Sequence, residues 1–258
     1  MTLAARLGPP IALVAVILGV WEAYCRVASV SPIVLPAPSR IVEQLWLFRA
    51  DAVRHSLPTL WETFVGLGLS IGLSIGAAVV MDRFVTVRRA VGPILVASQT
   101  VPVVAIAPLL VLWFGFGLAP KVLMVVLVTF FPVTIALLDG LAAATGEATD
   151  LLRSMGATRR QVFRKLRWPA ALPSLFTGLR IAVTYAVIGA VFGEYVGAYE
   201  GLGIWMQLSQ NAFRTDLVFA AVLLTAALSV ALFTAVVFIE RLAIPWYAAS
   251  RRGDPVAA

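Results

Sequence analysis

The chain has 258 residues, of which 61% are hydrophobic and only 13% charged, against about 25% charged in soluble domains. With a mean hydropathy of +0.96 it reads as an integral membrane protein with no soluble domain large enough to hold its own core. The net charge of +7 does not argue for nucleic acid, because arginines of membrane proteins gather in short cytoplasmic loops, so membrane lipid is the expected surrounding and nucleic acid is not a partner. One cysteine, Cys25, excludes an intrachain disulfide and reads as an ordinary buried thiol, and the single His55 leaves no histidine-based metal cluster.

The first apolar run extends from about Pro9 to Cys25. It could serve as a signal peptide, but Glu22 interrupts it and no clean small-x-small cleavage site follows, so a retained span is preferred. Ser31 to Ser39 is too proline-rich for a helix. Ser39 can cap a short interfacial helix with Ile41, Val42, Leu45 and Phe48 on one face and Arg40, Glu43 and Gln44 turned away. A second span is expected from Leu57 to Met81 with Glu62 its only charge; the Gly68/Gly72 and Gly72/Gly76 pairs predict close helix packing there. Asp82, Arg83, Arg88 and Arg89 then make a short turn.

From Ala90 to Pro120 no charge occurs across 31 residues, long enough for a span plus a re-entrant or extracytoplasmic turn. Pro93, Pro102 and Pro108 predict that this segment is kinked. Phe114-Gly115-Phe116-Gly117, Pro120 and Lys121 lead into a fourth span from Val122 to Leu141. A fifth starts near Pro173 and reaches Tyr195, with Arg180 two turns in and able to snorkel. Residues 196–215 are glycine-rich, then mildly amphipathic at Ile204, Met206 and Leu208. An uncharged sixth span runs from Leu217 to Ile239.

The longest polar interruption is Asp150 to Pro173. Leu151, Leu152 and Met155 form one apolar helical face, with Asp150, Arg153 and Ser154 opposite. Gly156 offers the positive φ that ends such a helix. Thr158 can cap a second helix bearing Val162, Phe163 and Leu166, with Arg159, Arg160, Arg164, Lys165 and Arg167 on its other faces. Pro169 is expected to close it, since the residue before a proline is pushed out of helical geometry. The result is two amphipathic helices, hinged at a glycine, on the membrane surface.

This loop resembles the signature of the permease subunits of binding-protein-dependent ABC importers, which reads Glu-Ala-Ala, three residues, Gly, nine residues, Ile, one residue, Leu-Pro. The matching frame is Asp150-Leu151-Leu152, three residues, Gly156, nine residues, Leu166, Arg167, Trp168-Pro169; the spacing is kept while several identities drift. Glu147-Ala148-Thr149 is closer by letter but three residues out of register. Leu35-Pro36-Ala37-Pro38-Ser39 is similar to the nitrate, sulfonate and taurine branch, although a plain proline turn explains it equally well. Val101-Pro102 through Leu112-Trp113-Phe114-Gly115-Phe116-Gly117, and Ile188 through Gly197 with Glu200-Gly201-Leu202-Gly203, look most like permeases for the pyrimidine precursor of thiamine or for riboflavin-like compounds.

The resemblance implies an all-α fold of the type I ABC importer permease class, with six transmembrane helices and a cytoplasmic coupling-helix loop. Its expected division is a first span in 1–30, a proline-rich turn and interfacial helix in 31–56, the transmembrane domain in 57–245 with the coupling loop at 143–169, and a cytoplasmic tail at 246–258. It implies a multi-pass protein of a prokaryotic plasma (inner) membrane. Partners are two ABC ATPase subunits, an extracytoplasmic solute-binding protein and a second copy of the chain in a homodimer. The residues meeting the ATPase would be Asp150, Leu151, Leu152, Arg153, Ser154, Met155, Gly156, Ala157 and Pro169. Thirteen of the 20 cations fall on the side that holds this loop and both termini, and six on the other, with Arg180 left in its span; by the positive-inside bias the richer side is cytoplasmic.

No cofactor is expected in this chain. Its two lysines follow Pro120 and Arg164, so a Gly-Lys-Ser/Thr phosphate loop is not possible and ATP belongs to the partner subunits. An ion-coupled secondary transporter would need intramembrane ionisable groups and usually an internal repeat; Glu62, Asp139, Arg180 and Glu194 are few and the halves do not repeat. An intramembrane enzyme lacks a matching motif. For the translocation path the candidates are Phe192, Glu194 and Tyr195: a carboxylate between aromatics suits a flat, hydrogen-bonding heterocycle, although a hydrated or arginine-paired interfacial acid fits the same pattern.

Overall fold

Apolar runs of this length have no water to satisfy their backbone in a bilayer, so they fold as helices that satisfy it internally. The computed structural model describes residues 3–144 and 146–247, and among these no strand occurs. The elements are α1 (Leu3–Val27), α2 (Pro38–Leu47), α3 (Arg49–Arg83), α4 (Val85–Ser98), α5 (Val103–Phe114), α6 (Leu118–Ala143), α7 (Glu147–Ser154), α8 (Arg159–Val162), a π-helical turn (Phe163–Arg167), α9 (Trp168–Gly197), α10 (Leu202–Asn211) and α11 (Thr215–Ala243). Five helices are each long and apolar enough to cross a bilayer; α4 and α5, bent by 101° at their junction, make a sixth span when taken together.

The core is the antiparallel pair α6 and α9 with α3 alongside. Leu137, Val133 and Val125 of α6 meet Val183, Ala186, Val187 and Ala190 of α9, all essentially without exposure. Glycines let the two backbones approach: a Cβ at Gly178 would stand 2.7 Å from that of Ala136, and one at Gly193 2.9 Å from Cα of Lys121. By contrast α1 and α11 keep most of their apolar surface outside the bundle, as expected of helices facing lipid.

Several expectations change. A Cβ at Gly68, Gly72 or Gly76 would meet nothing within 4 Å in the protomer, and Gly72 and Gly76 border an open apolar groove, whereas Gly66 packs on Val125; within the protomer the close approach of α3 is made at Gly66, outside the predicted pairs. Ser39 caps no helix. Ala37 is the N-cap of α2, and the Ser39 amide and hydroxyl both donate to Glu22, at 3.0 and 2.7 Å. The acid that interrupts α1 is therefore the tie between α1 and α2. Nor does α2 lie alone in the interface: Ile41 is buried against Leu217 and Trp205 in one cluster, Arg40 pairs with Asp216, and Gln44 accepts from Arg214.

Helix α3 starts at Arg49, eight residues before the expected Leu57, and so the division between residues 56 and 57 falls inside it. Arg88 and Arg89 lie in α4, with only Phe84 outside helix between α3 and α4. Arg180 lies about three turns into α9 and pairs with Glu240 of α11 at 3.3 Å, so it does not reach for the surface alone. In α10 the packed face is Leu202, Trp205 and Ser209, while Leu208 is exposed. Cys25 is a buried free thiol, as expected. The tail beyond Tyr247, with Arg251 and Arg252, lies outside the described residues.

Pro169 gives the most consequential correction. It does not close a helix: Trp168 before it stays helical at φ −64° and ψ −51°, and Pro169 and Pro173 both lie in α9. In a regular α-helix the Pro169 ring would press on the carbonyl four residues back. Here the Trp168 amide bonds to the Phe163 carbonyl five residues back, and this wider turn makes room for the ring. Residues 159–197 therefore run as one helical rod of 39 residues, about 58 Å long.

Candidate functional site

At the arginine-rich end, the loop is assembled from local hydrogen bonds. Helix α7 ends in a Schellman motif: the Ala157 amide donates to the Leu152 carbonyl at 3.0 Å and the Gly156 amide to that of Arg153 at 2.9 Å. Gly156 has φ +83° with open space around its Cα, which is the geometry expected of it. Thr158 then starts α8 with a full capping box. Its hydroxyl accepts from the Gln161 amide at 3.3 Å, and the Gln161 side chain accepts from the Thr158 amide at 2.7 Å. Thr158-x-x-Gln161 is the sequence signature of that box.

The unit presents Asp150, Leu151, Arg153, Ser154, Met155 and Gly156 outward, with Leu152 and Ala157 half-buried beneath. Leu151 is 63% and Met155 75% exposed, apolar side chains standing free on a polar surface. Beside them a cleft of about 500 Å³ is lined by Arg83, Arg153, Arg159, Arg160 and Arg167, with Asp82 the one acid. Pro169 stands apart from this face, inside α9.

Sequence reasoning missed what anchors the loop. Arg167 grips Asp82 at the end of α3 with two parallel bonds of 2.8 and 2.7 Å, and donates again to the Leu141 carbonyl of α6 at 2.8 Å. One guanidinium thus joins α3, α6 and the root of α9, a planar fork that a lysine could not reproduce. Val162 is buried below it, and Phe163 packs against Trp168 with ring centroids 6.1 Å apart. Asp82 is 85 residues away in sequence, and no local pattern announces the pair.

At the opposite end the chemistry is buried and long-range. Glu194 has 0% exposure. One carboxyl oxygen accepts from the Thr59 hydroxyl at 2.6 Å and the other from the Gly203 amide at 2.7 Å. Thr59 accepts from the Leu202 amide at 2.9 Å, and His55 Nδ1 from the Gly201 amide at 3.1 Å. Three consecutive amides opening α10 are thus held by side chains, satisfying donors that a helix start leaves orphaned. A Cβ on Gly201 or Gly203 would collide with Glu194. Nearby, Lys121 donates to Glu62 at 2.6 Å across α3 and α6 with both side chains nearly enclosed. His55 stacks on Trp205, and outside the cluster Arg54 pairs with Glu200.

Glu194 faces the bundle interior, neither hydrated nor paired with an arginine, but Phe192 and Tyr195 do not join it there. They line a separate groove with Met206, Val222 and Thr225, and the Tyr195 hydroxyl donates to Gln210 at 2.7 Å. No group of three or more histidine, cysteine or acidic side chains able to hold a metal occurs among the described residues.

Residues 68–245 match the family described as the binding-protein-dependent transport system inner membrane component. The chain is 42% identical over 228 residues to the formylaminopyrimidine transport permease protein ThiX of Halalkalibacterium halodurans, covering 88% of this chain and 91% of the relative. It is 33% identical over 244 residues to the riboflavin transport system permease protein RibX of Chloroflexus aurantiacus, covering 94% and 91%. In fold it is similar to a chain of the MetNI methionine ABC transporter solved in an inward-facing conformation, with a TM-score of 0.64 at 21% identity over 78% of this chain and 97% of the other. An all-helical bundle with a broken span and a capped two-helix loop, matched by the family model over most of its length, belongs to the inner-membrane permease components of binding-protein-dependent ABC importers.

Proposed function

We propose that this permease forms the translocation path of an importer for a nitrogen heterocycle of the aminopyrimidine or flavin kind. In this reading two copies pair as a homodimer. A solute-binding protein delivers from outside, and two ATPase subunits, supplying the nucleotide sites this chain lacks, dock on the loop around residues 150–157 from the cytosol. The arginine-rich end is then cytoplasmic, with both termini. The similarity to ThiX and RibX supports the solute class; a sulfonate, taurine or nitrate substrate is the competing possibility.

The observation that carries the coupling role is mechanical. Leu151 and Met155 stand exposed on a unit whose second helix continues without a break into α9, and Arg167 bolts that rod to α3 and α6. Load applied at α8 passes along α9 directly, without crossing a flexible joint. Movement requires that the ATPase bind two states of the loop differently, since equal contact would shift nothing.

Gly156→Val tests this. A β-branched residue at φ +83° costs at least about 1–2 kcal/mol and disturbs only the turn, because nothing lies near that Cα. Uptake and solute-stimulated ATP hydrolysis in proteoliposomes are expected to fall at least about tenfold while the permease still inserts; wild-type coupling would remove the docking assignment. In a Cys25→Ser background, a cysteine placed at Ala157 should be labelled from the cytosol and one at Leu118 from outside. The reverse pattern would overturn the orientation.

A further inference from the structure

Whether α4 and α5 form a broken span or a re-entrant pair, the 101° elbow between them is backbone without regular helix, which a bilayer tolerates where it is buried in protein or lines a cavity. A cavity of about 660 Å³ lies there, between the α4–α5 elbow and helices α6 and α9. That is within the range of small-molecule sites, which combine apolar walls with a few convergent polar groups. Its walls are apolar, Ile135 and Ile181 among them, and Phe131 and Tyr185 supply aromatic rings. Four side chains bring polar atoms: Ser98, whose hydroxyl donates to the Leu95 carbonyl at 2.7 Å, Gln99 beside it at the elbow, Asp139 from α6 and Tyr185 from α9. Among the described residues the side chains of Gln99, Asp139 and Tyr185 make no hydrogen bond or ion pair within the protomer. Their bonding capacity is therefore open to a guest.

The charge of the lining selects that guest. No lysine or arginine lines the cavity, and the one carboxyl side chain in its lining is Asp139. Arg180, next in sequence to Ile181, is turned to Glu240. Sulfonates and nitrate would meet an acidic side chain there with no cation beside it, which is unfavourable for an anion. An amino-substituted heterocycle fits at every point: its N–H donors meet Asp139, its ring nitrogens and carbonyls meet the Gln99 amide, and its face lies on aromatic rings. From this geometry we infer that the cavity at the elbow is the membrane site for solute, and that it takes a flat, amine-bearing heterocycle and discriminates against anions. The inference rests on the importer reading above and narrows its substrate class.

Phe192, Glu194 and Tyr195 lie outside this cavity, so the two locations predict different variants. The test uses the permease–ATPase complex in proteoliposomes with its binding protein, and radiolabelled formylaminopyrimidine, riboflavin and taurine as probes. Asp139→Asn is expected to raise KM for the transported heterocycle about tenfold, the loss of one charge-assisted hydrogen bond, and Asp139→Glu to recover most of it. Gln99→Ala should raise KM several-fold. Asp139→Arg should abolish heterocycle uptake while the complex still elutes at its assembled size. If the complex carries a heterocycle with wild-type KM in Asp139→Asn and Gln99→Ala, or if these variants act only by reducing assembly, the cavity is not the solute site although the importer reading stands. If it carries taurine, or none of the three probes while still hydrolysing ATP, the substrate reading falls and this inference with it.

Discussion

The two ends of the bundle hold their non-spanning segments in opposite ways. At the arginine-rich end, α7, Gly156 and α8 close with hydrogen bonds between residues no more than five apart, and the face they make is exposed. At the other, the turn into α10 is held by Thr59 and His55 of α3 and by Glu194, with bonds that reach across as many as 146 residues and are largely buried. A surface that must meet a partner benefits from keeping its shape by itself. A turn that must track the movement of two spans benefits from being tied to both. The first kind of structure is robust to changes in the rest of the bundle, and the second is sensitive to them.

The largest effect is expected where the local loop depends on a long-range bond after all. Asp82→Ala leaves Arg167, with most of its side chain enclosed, without its carboxylate. Removing one partner of such a pair costs about 3 kcal/mol or more, so the purified complex should lose several degrees of thermal stability together with its coupled uptake. Replacing both partners, Asp82→Leu with Arg167→Met, should restore much of the stability but not the coupling, because the tie to the Leu141 carbonyl goes too. Full stability in Asp82→Ala would mean that the loop stands without its anchor, and the contrast between the ends would be sharper still.

What could be read in advance follows the same division. Gly156 and Thr158 were legible because a positive φ and an N-cap are decided within a few residues. The six apolar segments were legible because a bilayer imposes length. Partners such as Arg167 for Asp82, Lys121 for Glu62 or Ser39 for Glu22 were not, since nothing near an acid says which helix will arrive beside it. Pro169 misled for a subtler reason. Its local preference is real, but a π-helical turn one step earlier absorbs the clash, and the continuous 159–197 rod results. The glycines of α3 misled because spacing identifies a stripe without saying which neighbour, if any, it faces.

A middle-sized effect should come from the buried turn. A Cβ at Gly203 would stand 2.9 Å from both Glu194 Cβ and the Tyr195 amide nitrogen, and backbone cannot give way as a flexible side-chain tip can. Gly203→Ala should therefore push α10 outward at about 1–3 kcal/mol, lowering thermal stability and uptake together. Glu194→Gln keeps the shape but can satisfy only one of its two donors by acceptance, for about 1 kcal/mol. If Glu194 supports the turn, this variant loses stability at unchanged KM. A raised KM at full stability would instead return Glu194 to the solute path and set the two ends on the same footing.

The smallest effect is expected at the rim of that turn. Arg54 donates twice to Glu200, at 2.9 and 2.6 Å, but both side chains are well exposed. The hydrogen bonds and charge of Arg54 hold the Glu200 carboxyl below its ordinary range. A carboxyl depressed in the folded state contributes stability above its unfolded pKa and loses it as pH falls through the lower folded value. Any contribution is therefore fully present at neutral pH and fades only in acid, below the usual carboxylate range of about 4. Exposed pairs are nonetheless worth little, and salt screens them. Glu200→Gln should leave the melting midpoint at pH 7 within error of wild type, at both low and high salt, while Gly203→Ala three residues further along the chain does not. A salt-sensitive loss of several degrees in Glu200→Gln would show that the surface ion pair, rather than His55, Thr59 and Glu194 beneath it, is what keeps the α10 turn in place.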